Sequence, residues 1–243
     1  MGLISKLDKS IRFTRLLLRF VNNWFDILYL TVTNKRVNTL EVELKDNHKI
    51  FLRRFNDLYV LLNLLERGWK VKEAYENNII LCKEICLNIR TTKGADIVHI
   101  DEIYERKIYG KSFRGVIIDV GASNADSSIF FAINGAEKVI ALEPFPESYE
   151  LGKYNIKINN LENKVFLLPY ALANYKGYTE FIIFSDTPNA NTVYPAPYNI
   201  GSGMKFDQKI KVPTISLTSI IKKIILILYS YLRWTAKDAN TMC

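Results

Sequence analysis

Continuous hydrophobic runs alternate with amphipathic segments through the second half of the chain. From Phe113 to Tyr170 the order includes GVIIDVG, DSSIFFAING, KVIALEP, PESYELGKYNIKINN and KVFLLPY. The first, third and fifth segments are aliphatic and β-branched without polar alternation, which is typical of strands buried on both faces. The second and fourth segments have the length and composition of helices. This order predicts a doubly wound α/β core with a parallel sheet between helices.

The first 111 residues follow a different pattern, which predicts an α+β accessory region. The segment TLEVELKDNHKIFLRR predicts a hairpin over Thr39–Arg54 around an Asp46-Asn47 turn. The next segment, NDLYVLLNLLERG, predicts a short helix capped by Asn56 and ended by Gly68. Two further strands, EICLNIR and ADIVHI, are predicted on either side of Lys93-Gly94. We assign residues 1–111 to the accessory region and residues 112–222 to the core.

The chain begins with a predicted basic amphipathic helix. Five of its first twenty residues are basic and one is acidic, which gives half of the formal charge of +8. This concentration disfavours a nucleic-acid partner, and two readings of the helix stay open. It packs on its own domain, or it lies on an anionic membrane surface with Trp24 and Tyr29 near the headgroups. Arg19 and Asp26 interrupt every window long enough to span a bilayer. The apolar positions of the predicted helix are Ile4, Leu7, Ile11, Leu18, Val21, Phe25 and Leu28.

Composition and cysteine usage predict a globular cytoplasmic protein. The 243 residues are 49% hydrophobic and 24% charged, which is ordinary for a folded domain. Three cysteines without framework spacing, and no apolar h-region after the start, favour a reducing compartment. Cys82 and Cys86 are interpreted as packing residues. With only His48 and His99, the chain has little from which to build a histidine metal site or a Ser/His/Asp triad, so no metal is predicted.

A glycine turn and a later acid point to a nucleoside site in the core. Gly121 directly follows the first predicted strand, where the lack of a side chain allows close approach of a ligand. Asp119 precedes it, and Glu143 ends the neighbouring strand, where a carboxylate can accept both ribose hydroxyls. The turn reads GASNAD, not G-x-G-x-x-G, and Asp126 near the helix N-terminus would repel a pyrophosphate. A nicotinamide cofactor is therefore disfavoured, and S-adenosylmethionine, which has a ribose and no phosphate, fits better.

Four motifs follow one another between Val116 and Leu217: DVGA, Gly135-Ala136, ALEPFP and NIKIN. They match a family pattern of D-V-G-A-N-x-G, a later G-A pair, V-x-A-x-E-P-x-P and a helix ending N-x-x-L-N. On these motifs the segment resembles the FkbM family of S-adenosylmethionine-dependent methyltransferases. The chain departs from the pattern at Ser123, where Asn is usual, and at Ala125, where Gly is usual. The resemblance implies a Rossmann-like class I methyltransferase sheet.

The resemblance also implies roles for individual residues. Asp119, Gly121 and Ser123 would border the methionine part of the cofactor, Glu143 would hold the ribose, and Ala171 would lie near the adenine. No catalytic base is assigned. KGYTEFIIFSD and QKIKVPTISL would be the family's additional strands, and the connecting loop with NIGSG is either a lid over substrate or a plain loop.

The C-terminal segment departs from the resemblance. A fourth strand and a K-x-D-x-E-G-x-E segment are expected after TISLTSIIKK, but the chain reads IILILYSYLRWTAKDANTMC. Reading the DNA two bases later from Tyr231 would permit the peptide KMDCEGCEYNV. We therefore expect residues 223–243 to be a frameshifted, non-native tail on an incomplete sheet.

The resulting prediction is an S-adenosylmethionine-dependent methyltransferase that acts on a hydroxyl of a sugar, glycan or other small metabolite. The missing acidic segment predicts weak or absent activity for the chain as written. The alternative from another class is a peripheral membrane or interaction module with a degenerate methyltransferase core.

Overall fold

The computed structural model describes residues 3–33, 35, 37–184, 188, 191 and 208–222. Two helices open the chain, α1 (Leu3–Phe20) and α2 (Trp24–Val32). The predicted hairpin is confirmed as β1 (Leu40–Glu43) paired antiparallel with β2 (Lys49–Leu52). Its turn contains Asn47 at a φ of +71°, a conformation that asparagine tolerates better than most residues. Helix α3 (Phe55–Glu66) follows and ends before Gly68.

An antiparallel sheet completes the accessory region. Its strands are β3 (Lys70–Ala74), β4 (Asn78–Cys82) and β5 (Cys86–Arg90), in that spatial order. A short helix α4 (Asp96–Ile100) then continues directly into a π-helical segment at Asp101–Glu105. This continuous α4–π segment connects the accessory region to the core.

The core contains the predicted parallel sheet with alternating helices. The elements are β6 (Val116–Val120), α5 (Asp126–Ile133), β7 (Lys138–Leu142), α6 (Pro146–Ile158) and β8 (Val165–Leu168). The strands pair in parallel in the order β6-β7-β8. The fold of this part is therefore α/β and Rossmann-like, as predicted.

A separate mixed sheet follows the parallel one. It consists of β9 (Ala171–Leu172), β10 (Gly177–Ile183) and β11 (Gln208–Ile215), with β11 in the middle. The two additional strands of the resemblance are thus present. Ile215 and Ile220 pack with Ile140 and Leu142 of β7, so the chain after β11 returns to the parallel sheet. The NIGSG loop and residues 223–243 lie outside the described residues, so the lid and tail predictions stay predictions.

The accessory region and the core share one hydrophobic cluster. It contains Leu17 of α1 and Leu62 of α3 together with Val139 and Ala141 of β7. Polar side chains join the two parts as well: Asn155 of α6 and Asn159, the residue that follows this helix, both hydrogen-bond to the backbone of β5. The division at residues 111 and 112 stays a prediction, and the two parts pack as neighbours across it.

Two local predictions in the accessory region were wrong. The segment ADIVHI forms the helix α4, although its β-branched residues favour a strand. Asp96 begins this helix and binds Arg90 at the end of β5, so a tertiary ion pair outweighs a weak strand propensity. Helix α3 begins at Phe55 with Arg54 at the cap position, so Asn56 lies inside the helix and does not cap it.

Cys82 and Cys86 are not simple packing residues, because they form a disulfide. They are directly opposite each other at the ends of β4 and β5, with a Cα–Cα distance of 4.1 Å. The tight hairpin brings together two cysteines that are separated by three residues in the sequence. The cytoplasmic location loses the support that unpaired cysteines gave it and stays a prediction.

The N-terminal segment is two helices, and its buried face differs from the predicted one. Leu16, Leu17 and Val21 are buried against the domain, whereas Ile11 and Leu18 are half exposed. The chain breaks between the helices because Val21 forms an isolated bridge with Leu44 of the hairpin. Among the described residues, no helix combines the length and hydropathy that crossing a membrane requires.

Gly135, in the connection from α5 to β7, is expected not to tolerate a side chain. Its φ is +108°, and an added Cβ would lie 2.6 Å from the carbonyl oxygen of Phe113. Gly135→Ala should lower the free energy of unfolding by about 2–3 kcal/mol, the sum of backbone strain and a backbone clash. Gly68→Ala is the control, because Gly68 has a φ of +94° with open space around it. Urea denaturation of both variants measures the difference; equal losses would contradict the clash.

Candidate functional site

The tips of β6 and β7 lie side by side and bring the predicted glycine and acid together. Val120 is paired with Leu142, so Gly121 and Glu143 are the next residues of two adjacent parallel strands. The amides of Gly121 and Ala122 both donate to the carbonyl oxygen of Leu142, at 2.9 and 3.0 Å. Gly121 has a φ of +81°, which this tight turn requires. The arrangement on which the nucleoside prediction depends is therefore present.

Glu143 is buried and hydrogen-bonded to the backbone on both sides. One carboxylate oxygen accepts from the amide of Ser123 and the other from the amide of Phe145, each at 2.8 Å. Burial raises the pKa of Glu143, and these two hydrogen bonds oppose the rise. Each oxygen keeps a second lone pair that can accept from a ligand hydroxyl. Glu143 therefore fixes the glycine turn and retains capacity for a ligand.

The turn after Gly121 holds two non-glycine residues in left-handed backbone conformations. Ser123 has a φ of +47° and Ala125 a φ of +63°. The second value gives a physical reason why glycine would be favoured at this position, since a Cβ costs about 1 kcal/mol there. Gly152 of α6 lies against this turn, where an added Cβ would be 3.2 Å from the Ser123 carbonyl oxygen. The turn is thus held from α6 as well as from β7.

Asp119 anchors the first turn of α5. Its Oδ2 accepts hydrogen bonds from the hydroxyls of Ser127 and Ser128, at 2.7 and 2.6 Å. Burial raises the pKa of Asp119, while the two serine hydroxyls lower it. The predicted site residue therefore lies at the strand end as expected, and its carboxylate accepts hydrogen bonds from the protein's own helix α5.

A buried arginine from the accessory region reaches the glycine turn, a contact that the sequence analysis did not predict. Arg90 forms a two-pronged ion pair with Asp96, and its guanidinium also donates to the Ser123 hydroxyl at 3.1 Å. Burial acts to lower the pKa of Arg90, but the pairing with Asp96 more than compensates, so the pKa is raised. The only sequence signal is an arginine at a strand end with an acid six residues later.

Ala171 is buried in a hydrophobic cluster. It packs in the mixed sheet with Phe181, Ile183 and Val212, and Phe145 contacts the same cluster. The cluster that contains Ala171 is therefore connected to the tip of β7 by the side chain of Phe145, two residues after Glu143. It does not line the cavity that adjoins Gly121. Its contact with adenine stays a prediction.

A cavity of about 150 Å³ adjoins the glycine turn and was not foreseen from the sequence. Gly121, Ser123 and Asp126 line it from the core, and His99 and Glu102 line it from the α4–π segment. Burial raises the pKa of Asp126 to about 6, and the nearby His99 opposes the rise. Among the described residues, no group of three or more His, Cys, Asp or Glu residues is arranged to hold a metal ion.

Asp126 is expected to make the protein less stable as the pH rises. Its pKa is raised from 3.8 to about 6 on folding, so between these values the folded state binds more protons than the unfolded state. The free energy of unfolding therefore falls from about pH 4 to pH 6. Asp126→Asn should be more stable than the parent by about 1–3 kcal/mol at pH 7.5 and equally stable near pH 4. Urea denaturation at both pH values measures this; a variant that is less stable at pH 7.5 would contradict it.

Comparison with known families identifies this part of the chain. Residues 119–228 match the family model described as the methyltransferase FkbM domain. This segment is an FkbM methyltransferase domain. The match begins at Asp119, so it covers the glycine turn, Glu143 and the mixed sheet. The resemblance on the GASNAD turn and the ALEPFP segment is confirmed.

Solved structures give weaker likenesses that carry no argument about function. A tRNA m1G37 methyltransferase from M. jannaschii is 19% identical over 53% of this chain and 49% of its own, with a TM-score of 0.33. A SAM-dependent methyltransferase from Agrobacterium tumefaciens is 12% identical over 55% and 50%, with a TM-score of 0.34. P. horikoshii TYW2 in complex with MeSAdo is 16% identical over 66% and 63%, also at 0.34. This chain thus spans less than two thirds of each. No curated protein matches it.

Proposed function

We propose that this chain binds S-adenosylmethionine at the tips of β6 and β7 and transfers its methyl group to an acceptor hydroxyl. The observation that supports the proposal most directly is the adjacency of Gly121 and Glu143 within an FkbM methyltransferase domain. Glu143 is buried, and its carboxylate has lone pairs left for two ribose hydroxyls. A buried acid, Asp126, at the start of α5 disfavours a pyrophosphate, which a nicotinamide cofactor would carry.

In the proposed reaction the acceptor oxygen attacks the methyl carbon of the sulfonium. The new C–O bond forms as the C–S bond breaks, and the sulfur retains the bonding electron pair. S-adenosylhomocysteine leaves, and the hydroxyl proton passes to a base or to water. The protein's contribution is to hold the oxygen in line with the C–S bond. We propose a sugar, a glycan or another small hydroxyl-bearing metabolite as the acceptor class, in keeping with the resemblance to the FkbM family.

Isothermal titration with S-adenosylhomocysteine tests the cofactor part of the proposal. A single saturable site on the folded chain is expected, with no competing signal from NADH at the same concentration. Absence of S-adenosylhomocysteine binding to protein that is folded by circular dichroism would remove the proposal. Transfer of radiolabelled methyl from S-adenosylmethionine to a panel of monosaccharides then tests the acceptor class.

A second candidate function is attachment to an anionic membrane surface through α1 and α2. Four exposed apolar side chains are spaced seven residues apart along the two helices, and Arg12, Arg15 and Arg19 are interspersed among the first of them. Their exposed fractions are 52% for Ile11, 45% for Leu18, 67% for Phe25 and 76% for Val32. Exposed apolar residues beside basic ones are the combination that interfacial helices use.

Liposome flotation tests this second candidate. The full chain should float with vesicles that contain phosphatidylserine. With neutral phosphatidylcholine vesicles it should remain in the bottom fraction, unbound. Phe25→Ser combined with Val32→Ser should abolish flotation, because the apolar contact is lost. Tyr178→Ser is the control, since Tyr178 is an exposed apolar side chain on β10 and belongs to neither helix. Flotation that survives the double change would exclude this surface.

A further inference from the structure

The cavity beside Gly121 is formed jointly by the core and the accessory region. From the core it is lined by the glycine turn and the first residues of α5, including Asp126 and Ser127. From the accessory region it is lined by the α4–π segment, including His99 and Glu102, and by Tyr109. At about 150 Å³ it has room for roughly five water molecules, so it suits a small polar group and is too small for a nucleoside.

The first three backbone amides of the turn are hydrogen-bonded within the protein. Those of Gly121 and Ala122 donate to Leu142, and that of Ser123 donates to Glu143. The usual donors that a glycine turn offers to a phosphate or carboxylate are thus already in use. The cavity therefore does not have the character of an anion site.

One carboxylate oxygen at the cavity has no hydrogen-bond donor. Asp126 is 4% exposed and lines the cavity. Its Oδ1 accepts from the amide of Ser127 at 2.7 Å, whereas its Oδ2 is buried without a hydrogen bond. His99 Nδ1 is 3.8 Å from Oδ2, which is too long for a hydrogen bond. A buried acceptor without a donor is unfavourable, and a ligand donor in the cavity would remove that penalty.

We infer that the Asp126 carboxylate receives the ammonium group of the amino-acid end of the cofactor. This inference rests on the proposed function. An ammonium has three donors and a positive charge, and the cavity is lined by Asp126, whose Oδ2 has no hydrogen bond, and by a second acid, Glu102. A neutral hydroxyl would supply the hydrogen bond without compensating the charge. In addition, Gly121 joins the cavity to the strand tips, where the nucleoside end is proposed to lie.

The α4–π segment would then be part of the cofactor site. It closes the cavity opposite the glycine turn, and Tyr104 fixes its position by donating its hydroxyl hydrogen to the Asp126 carbonyl oxygen at 2.8 Å. The accessory region would thereby recognise the part of the cofactor that distinguishes S-adenosylmethionine from other adenosine compounds.

Titration of three ligands into the full chain and into Asp126→Asn tests the inference. S-adenosylhomocysteine carries the ammonium, its deaminated analogue lacks only that group, and 5′-methylthioadenosine lacks the whole amino-acid end. Asp126→Asn should weaken S-adenosylhomocysteine about tenfold to hundredfold, the effect of losing a charge-assisted hydrogen bond. It should leave the other two affinities within about twofold. Glu150→Gln, an exposed change on α6, is the matched control and should alter none of the three.

The outcomes separate this inference from the proposed function. If the parent binds all three ligands and Asp126→Asn weakens all of them equally, or none of them, the inference is overturned while the proposed function stands. If folded parent protein binds none of the three, both are removed. Thermal melting of each variant shows that the comparison is made on folded protein.

Discussion

Replacing Arg90 by methionine is expected to lower the free energy of unfolding by about 3–5 kcal/mol. The guanidinium is 2% exposed and forms a two-pronged ion pair with Asp96, whose side chain is fully buried. Removing the cation leaves a buried carboxylate without its charge partner, which costs far more than the loss of a surface pair. Urea denaturation followed by circular dichroism measures the loss.

Two comparisons identify the cause of that loss. Lys93→Met removes a partly exposed ion pair with Glu147 and should cost less than about 1 kcal/mol. Asp96→Asn added to Arg90→Met should recover part of the stability, because the buried charge is then gone. If the double variant is no more stable than Arg90→Met, the loss is one of packing and not of charge.

The second large effect is expected at the ribose position. Glu143→Gln should weaken S-adenosylhomocysteine by about a hundredfold, because up to two charge-assisted hydrogen bonds to ribose hydroxyls are lost. Glu137→Gln is the matched control, since Glu137 is exposed immediately before β7, at the opposite end of the same strand. Isothermal titration measures both variants.

A separate ligand distinguishes a ribose contact from a general effect on the turn. Glu143 also accepts from Ser123 and Phe145, so the substitution disturbs the backbone as well. The 2′-deoxy analogue of S-adenosylhomocysteine lacks one of the hydroxyls. The parent should bind it at least tenfold more weakly than S-adenosylhomocysteine, and Glu143→Gln should bind the two almost equally. An unchanged preference in the variant would assign Glu143 to the turn alone.

The core was predictable because its signals are local and agree with one another. The run VIIDV forms the strand β6, Gly121 permits the turn, and helix and strand lengths follow the hydrophobic pattern. The expected burial of this run on both faces was wrong, because its first four residues are only partly buried and Val120 is half exposed. The position of Glu143 beside that turn followed from the expectation that the first two strands of a doubly wound sheet are neighbours whose carboxyl ends meet at one edge. The same local pattern led to a wrong prediction for ADIVHI, whose helical structure depends on the ion pair between Asp96 and Arg90.

The accessory region's part in the site was not predictable from the pattern. Nothing in the sequence near His99 or Glu102 indicates that these residues lie across a cavity from Gly121. Their approach depends on the packing of α4 and β5 against the core, which is set by contacts between residues far apart in the sequence. The disulfide between Cys82 and Cys86 likewise depends on a hairpin register that one residue's slip would destroy.

The parallel core, the glycine turn and the acid that ends the next strand were predictable from local patterns, because periodicity and chain connection are properties of neighbouring residues. Which carboxylate oxygens accept hydrogen bonds became visible only in the folded chain. Glu143 and Asp119 hold the turn and the first turn of α5, and Asp126 alone of the three keeps a buried oxygen without a hydrogen bond. That distinction arises from long-range packing, since each carboxylate's partners come from different elements.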